Sequence, residues 1–195
     1  KALVELMGRR RQLAGLKGRL EPVPTRAFRT LRDGITVDTP AVPISTEQSN
    51  TSVVVGNQLV VKVIRRVEEG INPDVEVSGF LTDVAHFDHA PRLGGAISYA
   101  TDEDNAATIV VAQEYVANEG DGWSYVLDAL SRVLGEVITH PSQDELRMAV
   151  SAEPLTAADA DPPRDHPMIG PHLHWAETLG RRTGELHLAL ASDTT

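Results

Sequence analysis

Residues 47–66 read EQSNTSVVVGNQLVVKVIRR, and the fold follows from how this stretch is read. Two runs of β-branched residues, 51–55 and 59–64, bracket Gly56-Asn57-Gln58, so the stretch predicts a β-hairpin. A cluster of hydroxyl and amide side chains precedes the first strand. The second strand is apolar apart from one charge, Lys62. A helix start follows: Asn72 suits the cap and Pro73 the first helical position. Val77, Phe80, Leu81 and Val84 then recur at i, i+3, i+4 and i+7, which predicts the stripe that faces the core, with Glu76 in the first turns.

On the N-terminal side, residues 2–16 read as a helix with Leu3, Leu6, Met7, Leu13 and Ala14 on one stripe. Residues 26–37 read as one or two short strands, 27–31 and 35–37, turning at Asp33-Gly34, and 38–46 as a connector. On the C-terminal side, 93–99 and 108–113 read as strands separated by the turn-like TDEDNAA. Residues 123–138 predict a helix with Val126, Leu127, Leu130, Val133, Leu134 and Val137 on one side. A stretch rich in Ala, Asp and Pro, 151–171, reads as a linker. A last helix spans 173–191 with Ala176, Leu179, Thr183, Leu186 and Leu190 inward. Strands cluster before residue 113 and helices after it, so the fold class is α+β with segregated parts.

Composition narrows the classes. The chain has 195 residues, 41% of them hydrophobic and 24% charged, a balance typical of a soluble globular protein. No apolar run reaches the roughly 18–20 residues that span a bilayer, and no secretory pattern opens the chain. Cysteine is absent, which excludes disulfides and Cys-based metal sites and fits a cytoplasmic location. The net charge is −10 but is unevenly spread: nine Lys/Arg against Glu5 and Glu21 make residues 1–32 +7, leaving −17 for the rest. Phe28 is the one aromatic residue in that basic head, too little for a basic-aromatic pattern, so the head reads as a solvated helix face that docks on the acidic remainder, not as a nucleic-acid surface.

A lysine in a strand beside a polar turn, followed by a glutamate early in the next helix, is an arrangement for handling phosphate. The ammonium contacts nucleotide phosphates, and the helix carboxylate fixes its position, as in protein kinases. An exposed strand lysine and a capped loop entering a strand are the plain alternative. Neither G-x-G-x-x-G nor G-x-x-x-x-G-K-[ST] is present. Hydroxyls, amides and backbone N–H groups also bind phosphate.

The combination of EQSNTS, the lysine in the following strand, R-x-x-E-x-G-x-N-P-D-x-E at 65–76 and V-x-N-x-G-D-G-W at 116–123 resembles the maltokinase family. These bacterial enzymes phosphorylate maltose at C1 with ATP and often occur fused to trehalose synthase. The likeness runs through most of residues 1–192 and is weakest in 138–171. It implies a kinase-like N-terminal lobe, a small antiparallel sheet with a packed helix, followed by the first helices of an incomplete helical C-terminal lobe. Residues 1–45 would be an N-terminal helix and short strands, 46–116 the nucleotide-binding lobe, and 117–195 the hinge exit, helices and linker. The resemblance makes Ser49, Asn50, Thr51 and Ser52 a glycine-poor phosphate loop, Lys62 the α/β-phosphate ligand and Glu76 its partner. Gln113, Glu114, Tyr115 and Val116 become the hinge against adenine. ATP with Mg2+, and maltose or another small sugar, are the implied ligands, with a trehalose synthase domain or protein as a partner. The catalytic Asp loop of such kinases is not visible, so residues 1–195 are expected to transfer no phosphate. An aminosugar or aminoglycoside kinase, or a non-catalytic docking module of a trehalose synthase fusion, are the competing readings.

Three further groupings have plain explanations. His172 and His174 form an H-x-H near His166, but a third and fourth zinc ligand at metal spacing are lacking. Asp102, Glu103 and Asp104 read as a solvated turn. Trp123 and Trp175 read as packing residues.

Overall fold

A computed structural model describes residues 1–44, 50–101, 105–139 and 170–192. Ser49, the acidic turn 102–104, His166 and nearly all of the 151–171 stretch lie outside them. The described residues form two units, Lys1–Ala117 with Glu185–Thr195, and Asn118–Gly184.

The first unit is built on the expected hairpin. Strands β4 (Asn50–Val55) and β5 (Leu59–Ile64) pair antiparallel, with Val55 opposite Leu59. Gly56 and Asn57 both take positive φ, 61° and 53°, which is why a Gly-Asn pair stands at the turn. A Cβ on Gly56 would also press on the Thr39 methyl at 2.7 Å. Five more strands extend the sheet: β1 (Leu13–Ala14), β2 (Arg19–Pro24), β3 (Ala41–Ile44), β6 (Leu93–Ala100) and β7 (Ala106–Glu114). The order is β1-β2-β6-β7-β5-β4-β3, and every neighbouring pair is antiparallel. The expected α+β class is what the chain adopts.

Several local expectations are corrected. Helix α1 is Ala2–Arg9 and ends at Arg10, whose left-handed conformation (φ 51°) sends its N–H back to the Met7 carbonyl. The predicted second half of that helix instead contains β1, and β2 follows it. Pro22 and Pro24 obscured β2. Beyond Leu20 its outer side has no partner strand, so prolines are tolerated there. The predicted strand 27–31 is a short helix, α2 (Phe28–Leu31), because Phe28 and Leu31 at i, i+3 both enter the core. The presumed connector 38–46 contains β3, an edge strand on β4.

The sheet has two unlike faces. On one, α1 and α2 bring Val4, Leu6, Met7, Phe28 and Leu31 against Val55, Leu59, Val61, Ile97, Val110 and Ala112. On the other lies α3 (Pro73–Asp83), which begins as expected: the Asn72 side chain accepts from the Asp74 N–H at 2.9 Å, and Pro73 takes the first position. Its orientation differs from the expected one. Val75, Ser78, Leu81 and Thr82 face inward, while Val77 and Val84 are 43% and 64% exposed. Of the expected stripe Leu81 is buried and Phe80 half-buried, and Ser78 and Thr82 take inward places because their hydroxyls bond the sheet.

The second unit contains helix α4 (Gly122–Thr139) and most of α5 (Gly170–Leu190). Asp121 starts α4, accepting from the Ser124 N–H at 2.9 Å and from its hydroxyl at 2.8 Å. Tyr125 meets the rings of His172 and Trp175 at centroid distances of 5.8 and 5.9 Å. The inward stripe expected on α4 is largely uncovered: Val126, Leu127, Leu130 and Leu134 are 43–50% exposed, while Ala129 is buried. Ala176, Leu179, Thr183 and Leu190 of α5 are likewise exposed. A pair of helices supplies too little second layer to bury a full apolar face.

Candidate functional site

Lys62 stands in the middle of β5, in register with Ser52 on β4 and Val111 on β7. Directly opposed residues of an antiparallel pair share a face, so all three lie on the face that α3 covers. Strand alternation adds Asn50 and Gln113 to that face. Thr51, opposite Val63, projects from the other one. The sheet thus gathers Asn50, Ser52, Lys62 and Gln113 and sets Thr51 apart.

The Lys62 ammonium lies 3.7 Å from Asp74 Oδ2, with 23% of the Lys62 side chain and 51% of the Asp74 side chain exposed. The carboxylate read for this place was Glu76. Successive helical residues are about 100° apart, and with Val75, Ser78 and Thr82 turned to the sheet, Asp74 reaches the flank beside Lys62. Glu76 turns toward solvent and makes no ion pair among the described residues. Asp74 also places negative charge in the first turn, where the helix dipole favours it.

The remaining expected residues have defined surroundings. Ser52 is fully buried with its hydroxyl hydrogen-bonded, so in this state it is part of the sheet and closed to a ligand. Asn50 borders a pocket of about 260 Å³ at the N-terminal end of α3, beside Ile64, Arg66, Asn72 and Thr108. Gln113 donates from Nε2 to Ser78 Oγ at 3.0 Å. The Glu114 N–H donates to the Arg92 carbonyl at 2.9 Å and the Tyr115 N–H to the Gln58 carbonyl at 2.8 Å, so both amides are engaged within the protein. Val116 is 54% exposed.

Glu114 is also held through its side chain. Arg92 donates from Nε at 2.9 Å and from Nη2 at 2.8 Å to its two carboxylate oxygens. Those hydrogen bonds keep the Glu114 carboxyl below its ordinary value and raise Arg92 above its own. Backbone and side-chain hydrogen bonds from Ser124 likewise hold Asp121 low.

Asp74, Ser78, Thr82 and Thr108 are the site residues that pattern reading missed. Thr82 Oγ1 accepts from the Leu93 N–H at 2.8 Å, and Thr108 Oγ1 accepts from the Asn72 N–H at 3.3 Å. The available signal was the recurrence of Val75, Ser78 and Thr82 at i, i+3 and i+7, a half-polar stripe beside the more apolar one.

Among the described residues no three His, Asp or Glu side chains converge to hold a metal ion. No described helix is long and apolar enough to cross a membrane.

No family model matches the chain. Over 165 residues the chain is 27% identical to a glucosamine kinase of Mycolicibacterium smegmatis, covering 77% of this chain and 41% of that protein. A solved structure of a glucosamine kinase aligns with 68% of this chain and 40% of its own, at 20% identity and a TM-score of 0.36. The chain spans about two fifths of the length of these relatives.

Proposed function

We propose that this chain is the nucleotide-binding part of an ATP-dependent kinase acting on a small sugar. The observation that carries the reading is Lys62, half-buried on the sheet face beneath α3 and held beside Asp74. A strand ammonium fixed by a helix carboxylate suits the oxygens of a nucleotide phosphate chain. The donors nearby fit the same ligand: Asn50 and Asn72 line the adjoining pocket together with Arg66. Adenine would lie along the 113–116 segment, where Val116 is half exposed. When bound, ATP supplies the phosphoryl group. This chain's own contribution is to bind and orient its phosphates through Lys62, with Asp74, not Glu76, positioning the ammonium.

The likeness to a glucosamine kinase supports an aminosugar acceptor. The EQSNTS, GINPD and GDGW segments support maltose. The likeness to a glucosamine kinase gives no support to a trehalose synthase partner.

The test has two arms. A fluorescent ATP analogue is titrated against the chain and against Lys62→Ala, and we expect binding that the substitution weakens about tenfold, the loss of one charge-assisted contact. In a polypeptide extended to the relatives' length, Lys62→Ala should lower turnover roughly 100-fold. Glucosamine and maltose are offered together, and phosphorus NMR identifies the product. Residues 1–195 alone should yield none. Equal analogue binding by both proteins would overturn the nucleotide assignment.

A further inference from the structure

A large cavity lies away from Lys62, where α1 and α2 cover the opposite face of the sheet. It encloses about 740 Å³, and its lining includes Arg10, Arg26, Arg29, Arg32 and a single acidic side chain, Asp33. Among the described residues none of the four guanidinium groups has an acidic partner. The neighbouring basic residues Arg9 and Arg19 do pair, with Glu5 and Glu21. The basic head seen in the sequence is thus neutralised at its margins and left bare at the cavity.

The fold holds these arginines in place. Phe28 and Leu31 enter the core and so fix α2, which carries Arg29 and leads into Arg32. Arg10 stands at the C-terminal end of α1 in its left-handed conformation. The Arg32 guanidinium lies 5.9 Å from the centre of the Phe28 ring. It rests directly on the backbone of Gly8, where a Cβ would occupy the guanidinium's own position. Glycine at position 8 therefore makes room for a charged group at the cavity wall.

We propose that this cavity is a binding site for a phosphate-bearing small molecule of up to about nucleotide size. Its volume falls within the roughly 300–1,000 Å³ of small-molecule pockets. All four basic groups are arginines and none is lysine, and the planar guanidinium fork matches phosphate oxygens two at a time. Four unpaired cations around one concavity repel one another, and a bound polyanion removes that repulsion. The site lies across the sheet from Lys62 and does not depend on the kinase reading.

Calorimetric titration of the chain at low ionic strength tests this. Inorganic tripolyphosphate and glucose 6-phosphate serve as probes and distinguish a bare phosphate chain from a phosphorylated sugar. Arg26 and Arg29 are exposed, so Arg26→Gln/Arg29→Gln should fold normally and weaken binding of the preferred probe about tenfold or more. Arg10→Gln gives an independent reading should the double variant unfold. Lys62→Ala should retain the glucose 6-phosphate or tripolyphosphate binding that the arginine variants lose. Binding lost in Lys62→Ala but kept in the arginine variants would overturn the proposal, as would no binding of either probe. A hexaglutamate peptide that binds through the same arginines while both phosphates fail would reassign the cavity to an acidic segment.

Discussion

The two faces of the seven-stranded sheet are held by different kinds of contact. Beneath α1 and α2, eleven buried apolar residues form one cluster. Beneath α3 the corresponding cluster is Ile64, Leu93 and Val111, with Val75 packed against it. Leu81 of α3 is buried as well, and around it the attachment is polar: Lys62 with Asp74, Gln113 with Ser78, the Leu93 N–H with Thr82, and the Asn72 N–H with Thr108. Apolar burial resists displacement in proportion to area. Hydrogen bonds exchange with water at a net cost of about 1 kcal/mol each. One face is therefore a fixed floor, and the other carries a helix that can shift without unfolding the sheet. The nucleotide-handling pair proposed above, Lys62 with Asp74, is on the second face.

The comparison is tested most severely by truncating each face. Leu59 is fully buried in the larger cluster, and Leu59→Ala should cost about 2–5 kcal/mol through lost transfer energy and a residual cavity. Val75→Ala, on the half-buried side of α3, should cost about 1 kcal/mol. Urea midpoints at constant slope measure both. Equal losses would mean that α3 is anchored as firmly as the helices opposite.

A smaller effect is expected at the polar contacts. Ser78→Ala removes the acceptor for Gln113 Nε2 and should cost about 1 kcal/mol, or roughly fivefold in an opening equilibrium. The readout that matters is local. Amide hydrogen exchange should accelerate in α3 while the amides of β5 and β7 keep their protection. Uniform acceleration would place α3 in the same cooperative unit as the sheet and erase the distinction between the faces.

The sequence made one face far more legible than the other. The hairpin, the Asn72-Pro73 helix start and the 93–99 and 108–113 strands were readable because alternation, capping and turn chemistry act over a few residues. The orientation of α3 was legible only in part: hydrophobicity favours Val77, Phe80, Leu81 and Val84 as the buried stripe, and of these Leu81 is the buried one while Val77 and Val84 are exposed. Val75, Ser78 and Thr82 turn inward beside Leu81, and the Ser78 and Thr82 hydroxyls meet partners 35 and 11 residues away in the chain. The same rotation exchanged Glu76 for Asp74 beside Lys62. Strand β2 escaped notice because prolines argue against a strand until its free outer side is known, and α2 because four residues are too few to show a period. The arginine cavity was visible only as net charge, since nothing local says that Arg10 and Arg29 share one concavity.

The smallest effect concerns the Arg92–Glu114 pair, at the end of the sheet where the 113–116 segment begins. The Arg92 hydrogen bonds lower the Glu114 carboxyl below its ordinary 4.5, so the unfolded chain takes up the proton before the folded one does. The pair's contribution is accordingly complete above that ordinary value and is lost as pH falls through the depressed folded value. Glu114 is 29% and Arg92 43% exposed, so solvent screening limits the contribution to about 1 kcal/mol or less. Melting temperatures of the wild type and Glu114→Gln should differ near neutrality and converge on the acid side, and parallel profiles would rule the linkage out. The pair also bears on the two faces. Arg92 precedes Leu93, whose N–H donates to Thr82 on α3. Loosening Arg92 by acid or by Glu114→Gln should therefore speed exchange in α3 more than in the strands whose side chains meet α1 and α2. If exchange rises equally on both sides, the pair clamps the sheet as a whole and the polar attachment of α3 ends at Thr82.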